Sequence, residues 1–136
     1  MKKVFSDSNV LLDLLLDREP FNDDTAGIEY SISEADKICV SSITITGTNY
    51  IIGGLEGVKS ANKKTKIILD LVTVENVGES TVLKSSNSRF KDFEDSVQNF
   101  CAIESEHKII VTRNVQDFKA SELSIMTSKG FLVKLM

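Results

Sequence analysis

The chain has 136 residues, 41% of them hydrophobic and 26% charged, with 16 Lys+Arg against 20 Asp+Glu and a net charge of -4. That composition excludes general disorder and matches one globular domain with its own core. The acidic balance also argues against a nucleic-acid binder that works through a broadly basic surface.

In chain order, Lys3–Phe5 reads as a first short strand. Ser8 or Asn9 is placed to cap a Leu-rich helix over Val10–Leu16, whose apolar content predicts near-complete burial. A helix is expected over Thr25–Asp36 after Asp23 or Asp24, then a strand at Ile38–Ser41. Thr44 or Thr46 opens a helix through Leu55, closed by Gly53, Gly54 and Gly57. Ser60 precedes a helix over Ala61–Leu71, followed by a weaker strand at Val72–Asn76 and a short helix over Glu79–Lys84. A helix runs from Asp92 to Glu104, with Phe93, Val97, Phe100 and Cys101 spaced to face a sheet. Lys108–Thr112 is the next strand and Phe131–Lys134 the last. Strands alternating with helices predict an α/β fold, a mostly parallel sheet between helical layers, in one domain over residues 1–136.

The apolar opening is broken by Asp7, Asp13 and Asp17, which is unlike a secretory leader. No run approaches the roughly 18 apolar residues of a membrane span. A cytoplasmic protein without membrane contact is expected. Cys39 and Cys101 form neither a CxxC pair nor a zinc spacing and read as buried thiols. The single histidine, His107, has no accompanying nucleophile motif, and no Gly-rich phosphate loop is present.

Three polar clusters fall at strand ends or helix starts. Asp7 follows the first strand, where ligands of open α/β sheets bind, although Asp is also a common helix cap. Asp92, Glu94 and Asp95 open a helix. One cap and the helix dipole account for part of that cluster, but three acids repel one another unless a cation neutralises them. Thr112, Arg113 and Asn114 end the KIIV strand, with Asp117 and Phe118 in the turn beyond. An ordinary turn explains each alone. Their coincidence on one edge points to a divalent-metal site with oxygen ligands, such as Mg2+ or Mn2+. Lys59, Lys63, Lys64 and Lys66 around one helix, and Arg89, Lys91, Arg113 and Lys119 around the acids, are either a solvated surface or a phosphate track.

VFSDSNVLLDLLLDREPF, VSSITITGTNYII, FKDFEDSVQNFCAIE and IIVTRNVQDF, in that order, resemble the PIN-domain family, in particular its small VapC-type ribonuclease toxins. The resemblance implies a three-layer α/β/α sandwich and a Mg2+- or Mn2+-dependent endoribonuclease acting on single-stranded RNA. It also implies an antitoxin-like partner and a homodimer. Asp7 matches the family's first acidic position, Asp95 the third, and Asn114 a position that is Asp or Asn, with Asp117 the carboxylate of that turn. Asp7, Asp95 and Asp117 are therefore the expected catalytic metal ligands, with Asn9, Glu94, Asp92, Thr112 and Asn114 supporting. Gly47 stands where many members carry Glu, so a weakly active or inactive module binding RNA or protein is the alternative. A phosphatase reading of Asp7 would require a second Asp where Asn9 stands. If part of the negative charge belongs to a cation site, the bare count misstates the field that an RNA meets.

Overall fold

The computed structural model describes residues 4–16 and 38–135. The helix expected over Thr25–Asp36 lies outside them. Five strands, β1 (Val4–Ser6), β2 (Ile38–Ser41), β3 (Val72–Glu75), β4 (Ile109–Val111) and β5 (Ser124–Met126), form one sheet in the order β3-β2-β1-β4-β5. Every pairing is parallel. The helices are α1 (Ser8–Leu16), α2 (Ser42–Glu56), α3 (Val58–Leu69), α4 (Glu79–Ser86), α5 (Phe93–Glu104) and α6 (Ser128–Leu135), with a 3-10 turn at Val115–Phe118.

The inner strands β1, β2 and β4 are short and largely buried, as a covered parallel sheet requires, while the edge strands β3 and β5 are partly exposed. Side-chain alternation sends Val4, Ile38, Val40 and Val111 to one face, where Val10 and Leu11 of α1, Ile68 of α3 and Phe131 of α6 pack. Phe5, Cys39 and Ile110 point to the other face, against Cys101 and Ala102 of α5 and Phe118 of the 3-10 turn. The result is the three-layer sandwich with a parallel sheet.

Local signals explain where the boundaries moved. Ser41, not Thr44, caps α2, its hydroxyl accepting from the Thr44 N–H at 3.1 Å, so the helix starts earlier than expected. Gly57 ends it at φ 95°, a conformation that only glycine adopts without strain. Asp92 caps α5 by accepting from the Asp95 N–H at 3.0 Å. Val97 and Cys101 of α5 are buried, but Phe93 is 54% exposed and does not face the sheet. Its place in the first turn lies beyond the strand ends.

Phe131–Lys134 is not a strand. It belongs to α6, and the fifth strand is Ser124–Met126, paired along β4 from Ile109↔Ser124 to Val111↔Met126. Thr127 decides this: its hydroxyl accepts from the Gly130 N–H at 3.0 Å, and its carbonyl accepts from the Phe131 N–H at 2.9 Å. A Thr capping the next residues turns a short apolar run into a helix with one buried contact, Phe131.

Candidate active site

The chain winds from β1 outward to β2 and β3, then returns to lay β4 on the other side of β1. The carboxyl ends of β1 and β4 therefore flank the point where strand order reverses, the crevice in which open parallel sheets place ligands. Asp7 and Thr112 are the residues immediately beyond those strands.

Asp7 is held from three directions. Its N–H donates to the Val111 carbonyl at 2.9 Å, extending the β1–β4 ladder by one residue. Its Oδ1 accepts from the Ser8 N–H at 2.8 Å and its Oδ2 from the Thr112 hydroxyl at 2.9 Å. Thr112 Oγ1 in turn accepts from the Asn114 N–H at 3.1 Å, so one threonine shapes the β4 turn and orients the carboxylate. Burial pushes the Asp7 carboxyl up to about 6 against the lowering effect of those hydrogen bonds, with Glu94 adding to the rise and Arg113 opposing it.

Asp95, in the first turn of α5, is pushed up to about 7 by burial and then by the charges of Asp7, Asp92, Asp117 and Glu94. The three sequence clusters thus share one electrostatic neighbourhood. Asp117 lies exposed in the 3-10 turn and lines a polar cleft of about 460 Å³ with Asp92, Asp95, Arg89, Lys91 and Lys119. Two carboxyls pushed up by burial, Asp95 further by its acidic neighbours, are an arrangement that a cation relieves, and an all-oxygen donor set suits Mg2+ or Mn2+. The fit is open rather than caged: among the described residues, the trio whose ligand atoms all lie within 4.8 Å is Cys39, Glu75 and His107, not these aspartates. A cation that keeps several waters matches such spacing.

The supporting residues divide by what they touch. Asp92 is occupied as the α5 cap. Glu94 Oε1 accepts from the Ser8 hydroxyl at 3.0 Å, tying α5 to α1 over the site. Asn9 is half-buried in the first turn of α1, and Asn114 precedes the 3-10 turn with no capping bond from its side chain. Arg113 is turned away from the cleft into an ion pair, with Nη1 3.0 Å from both carboxylate oxygens of buried Asp13. Lys64 pairs with Glu56 at 2.7 Å and donates to the Leu15 carbonyl, while Lys63 is exposed on α3. Of the cations that flank the acids in sequence, Arg89, Lys91 and Lys119 line the cleft.

A polar network under the site was not read from the sequence. Gln98 Nε2 donates to Thr44 Oγ1 at 2.8 Å and to Ser8 Oγ at 3.1 Å, and Ser41 Oγ lies 3.2 Å from Thr44 Oγ1. Gln98, Thr44 and Ser41 are buried, joining α5, α2 and β2 beneath the carboxylates. A Gln within the apolar face of α5 was the available signal. Gly47 follows Thr44 by three residues along α2, and a Cβ there would meet nothing within 4 Å.

The raised carboxyls carry a stability consequence. Both fold with pKa values above the unfolded value, so folding is favoured while they are protonated, and metal-free stability falls as pH rises from about 4 through 7. Thermal melts in EDTA should show that decline, and Asp95→Asn should flatten it by about 1–2 kcal/mol after solvent screening. An unchanged pH slope in the variant would show that Asp95 does not bear this load.

A parallel five-stranded sheet with acids gathered at its switch point defines an open α/β domain with an acidic centre. A family model described as the PIN domain matches residues 3–116, and the chain belongs to that family. Among solved structures it is similar to VapBC-1 from nontypeable Haemophilus influenzae, with a TM-score of 0.71 at 16% identity, covering 95% of this chain and 99% of that one. FitAcB from Neisseria gonorrhoeae matches with a TM-score of 0.71 at 17% identity over 93% and 98% of the two chains. VapC20 from Mycobacterium tuberculosis, described as a Sarcin-Ricin loop cleaving toxin, matches at 0.64 and 14% identity over 79% and 86%. At these identities the likeness is one of fold. No curated protein matches the chain.

Proposed function

We propose that this protein is a metal-dependent endoribonuclease that hydrolyses phosphodiester bonds of single-stranded RNA, as the toxin of a toxin–antitoxin pair. The observation that carries the reading is the gathering of Asp7, at the carboxyl end of β1, with Asp95, in the first turn of α5, where the Asp7 charge acts on the Asp95 carboxyl. Asp7 and Asp95 are the residues to hold Mg2+ or Mn2+, with Asp117 completing the acidic rim. The cation, when held there, supplies a lowered pKa for water and neutralisation of phosphoryl charge. Thr112 and the Ser8 N–H keep the Asp7 carboxylate in one orientation, a preorganisation that costs nothing at the moment of reaction. Arg89, Lys91 and Lys119 give phosphates a cationic approach on an otherwise acidic molecule.

The partner proposal has its own support. Solved relatives include a toxin–antitoxin complex from Klebsiella pneumoniae and a DNA-bound VapBC from Salmonella typhimurium. On this chain, Tyr50, Leu55 and Val58 stand 82%, 64% and 71% exposed around an apolar hollow of about 570 Å³ between α2 and α3. Exposed apolar surface of that kind marks a protein contact, and an apolar segment of an antitoxin is the occupant assigned to it. Among the described residues no helix is long and apolar enough to cross a membrane.

Gly47 favours a second reading, a weakly active module, because it offers no ligand. Purified protein should cleave single-stranded RNA on addition of Mn2+ and stop in EDTA. Gly47→Glu has open space and should gain about 0.5 kcal/mol of helix stability. It should also raise the cleavage rate by adding a carboxylate one turn beyond Thr44. A silent wild type with an active Gly47→Glu variant selects the weak module, and silence in both overturns the nuclease reading.

A further inference from the structure

Away from the strand-end acids, three side chains of different chemistry converge. Parallel register sets Cys39 beside Phe5 and Thr73, and Ser41 beside Glu75. Strand alternation then puts Cys39 and Glu75 on the same face of the sheet, the one covered by α5. The third group arrives from the other side of β1. After α5, Glu106 adopts φ 65°, a left-handed conformation uncommon outside glycine, and turns the chain before β4. The His107 N–H bonds the Ala102 carbonyl at 2.9 Å, and its ring lies 5.6 Å from that of Phe5, buried under the helix.

One ligand atom from each of Cys39, Glu75 and His107 lies within 4.8 Å of the other two. His107 Nε2 is 3.5 Å from Glu75 Oε1, the spacing of an ion pair rather than of a direct N–H···O bond. In a tetrahedral zinc site, with bonds of about 2.0–2.3 Å, neighbouring ligand atoms stand roughly 3.4–3.6 Å apart. The imidazole–carboxylate edge already has that length, and the thiol has about an ångström or less to close.

We propose that Cys39, Glu75 and His107 form a cation site for a thiophilic, zinc-type ion, separate from the acidic centre. Thiolate and imidazole donors select such an ion over Mg2+, which the all-oxygen set of Asp7, Asp95 and Asp117 suits better. A thiolate and a carboxylate balance the charge of a divalent ion, and binding releases the thiol proton to solvent. Glu75 is the partly exposed member, so an ion enters past its carboxylate and water takes the fourth position. Cys101 is not a ligand. Its sulfur lies outside the trio and donates to the Asn76 carbonyl at 3.6 Å, beside Glu75. The bound ion would join β2, β3 and the approach to β4.

Cobalt(II) titration of the purified full chain tests this, because a thiolate ligand gives a charge-transfer absorption that oxygen ligands do not. One equivalent should produce the band in wild type, in Cys101→Ser and in Asp95→Asn, and zinc should abolish it by displacement. Cys39→Ser should lose the band, and Glu75→Gln should weaken cobalt affinity by about tenfold or more, at the low end of what disturbed metal sites show. Glu75→Gln changes a partly exposed group and keeps the test open should Cys39→Ser fold poorly. A wild type without the band overturns the site. So does a band that survives Cys39→Ser or disappears in Cys101→Ser. The Asp95→Asn arm separates this result from the nuclease reading, since that variant removes cleavage without touching the sulfur ligand.

Discussion

Replacing Asp7 with Asn should lower divalent-dependent RNA cleavage by about 100-fold or more, a loss typical of removing one charged or polar group from a preorganised site. The same change should leave the metal-free protein at least as stable as wild type at pH 8. Asp7 is 3% exposed and its carboxyl is raised to about 6, so above that pH the fold carries a charge that its surroundings disfavour. Asn keeps the shape. Its carbonyl oxygen can accept from the Ser8 N–H, and its amide can donate to Thr112 Oγ1, which now accepts. The expected gain is about 1–2 kcal/mol at pH 8, smaller than the full shift implies because the wild-type hydrogen bonds already offset part of the burial cost. Loss of function with gain of stability separates a functional carboxylate from a structural one. Paired cleavage assays and melts in EDTA decide it, and equal RNase activity in the two proteins would sink the assignment.

Arg113→Ala should have the largest effect on stability, a loss of about 3 kcal/mol. Asp13 sits on α1 with 2% exposure, and Arg113 Nη1 contacts both its oxygens at 3.0 Å. Removing the guanidinium leaves a buried carboxylate without that countercharge, which costs more than the pair itself contributes. The double variant Asp13→Leu/Arg113→Ala should cost less than the two single losses added together, because Arg113→Ala then no longer strands the carboxylate it contacts. Denaturant midpoints for wild type, Arg113→Ala, Asp13→Leu and the double variant measure it. A loss below about 1 kcal/mol in Arg113→Ala would return Arg113 to the pool of surface cations. Reduced RNA binding at full stability would restore it to the phosphate track.

Much of the architecture could be read along the chain because the strands are bounded by local signals. Ile38–Ser41 is a short apolar run ending on a helix cap, the KIIV strand is a β-branched run, and Asp92 announces α5. Phe131–Lys134 reads as a strand in sequence because its apolar run is too short to separate helix from strand by period, and the deciding Thr127 bond is a side-chain contact. Of the site, Asp7, Asp95 and Asp117 were all visible as acids at element ends. Gln98 and Thr44 were not, since a buried amide or hydroxyl on a helix resembles any other polar residue until its partner across the sheet is known.

By itself, then, the sequence determined the alternation of strands and helices, the three acidic clusters at their ends and the buried character of the two cysteines. Those are properties of residues and near neighbours, where propensity and capping act over a few positions. Tertiary structure alone decided which clusters share a field, since the Asp7 charge reaches Asp95 only because α5 packs on the Phe5 face of the sheet. It also decided that Arg113 serves Asp13 instead of the cleft, and that Cys39, with no ligand at zinc spacing in sequence, meets His107 and Glu75 through register. Charge and coordination act through space over a few ångströms, and only the parallel crossovers bring residues so far apart in the chain to that distance.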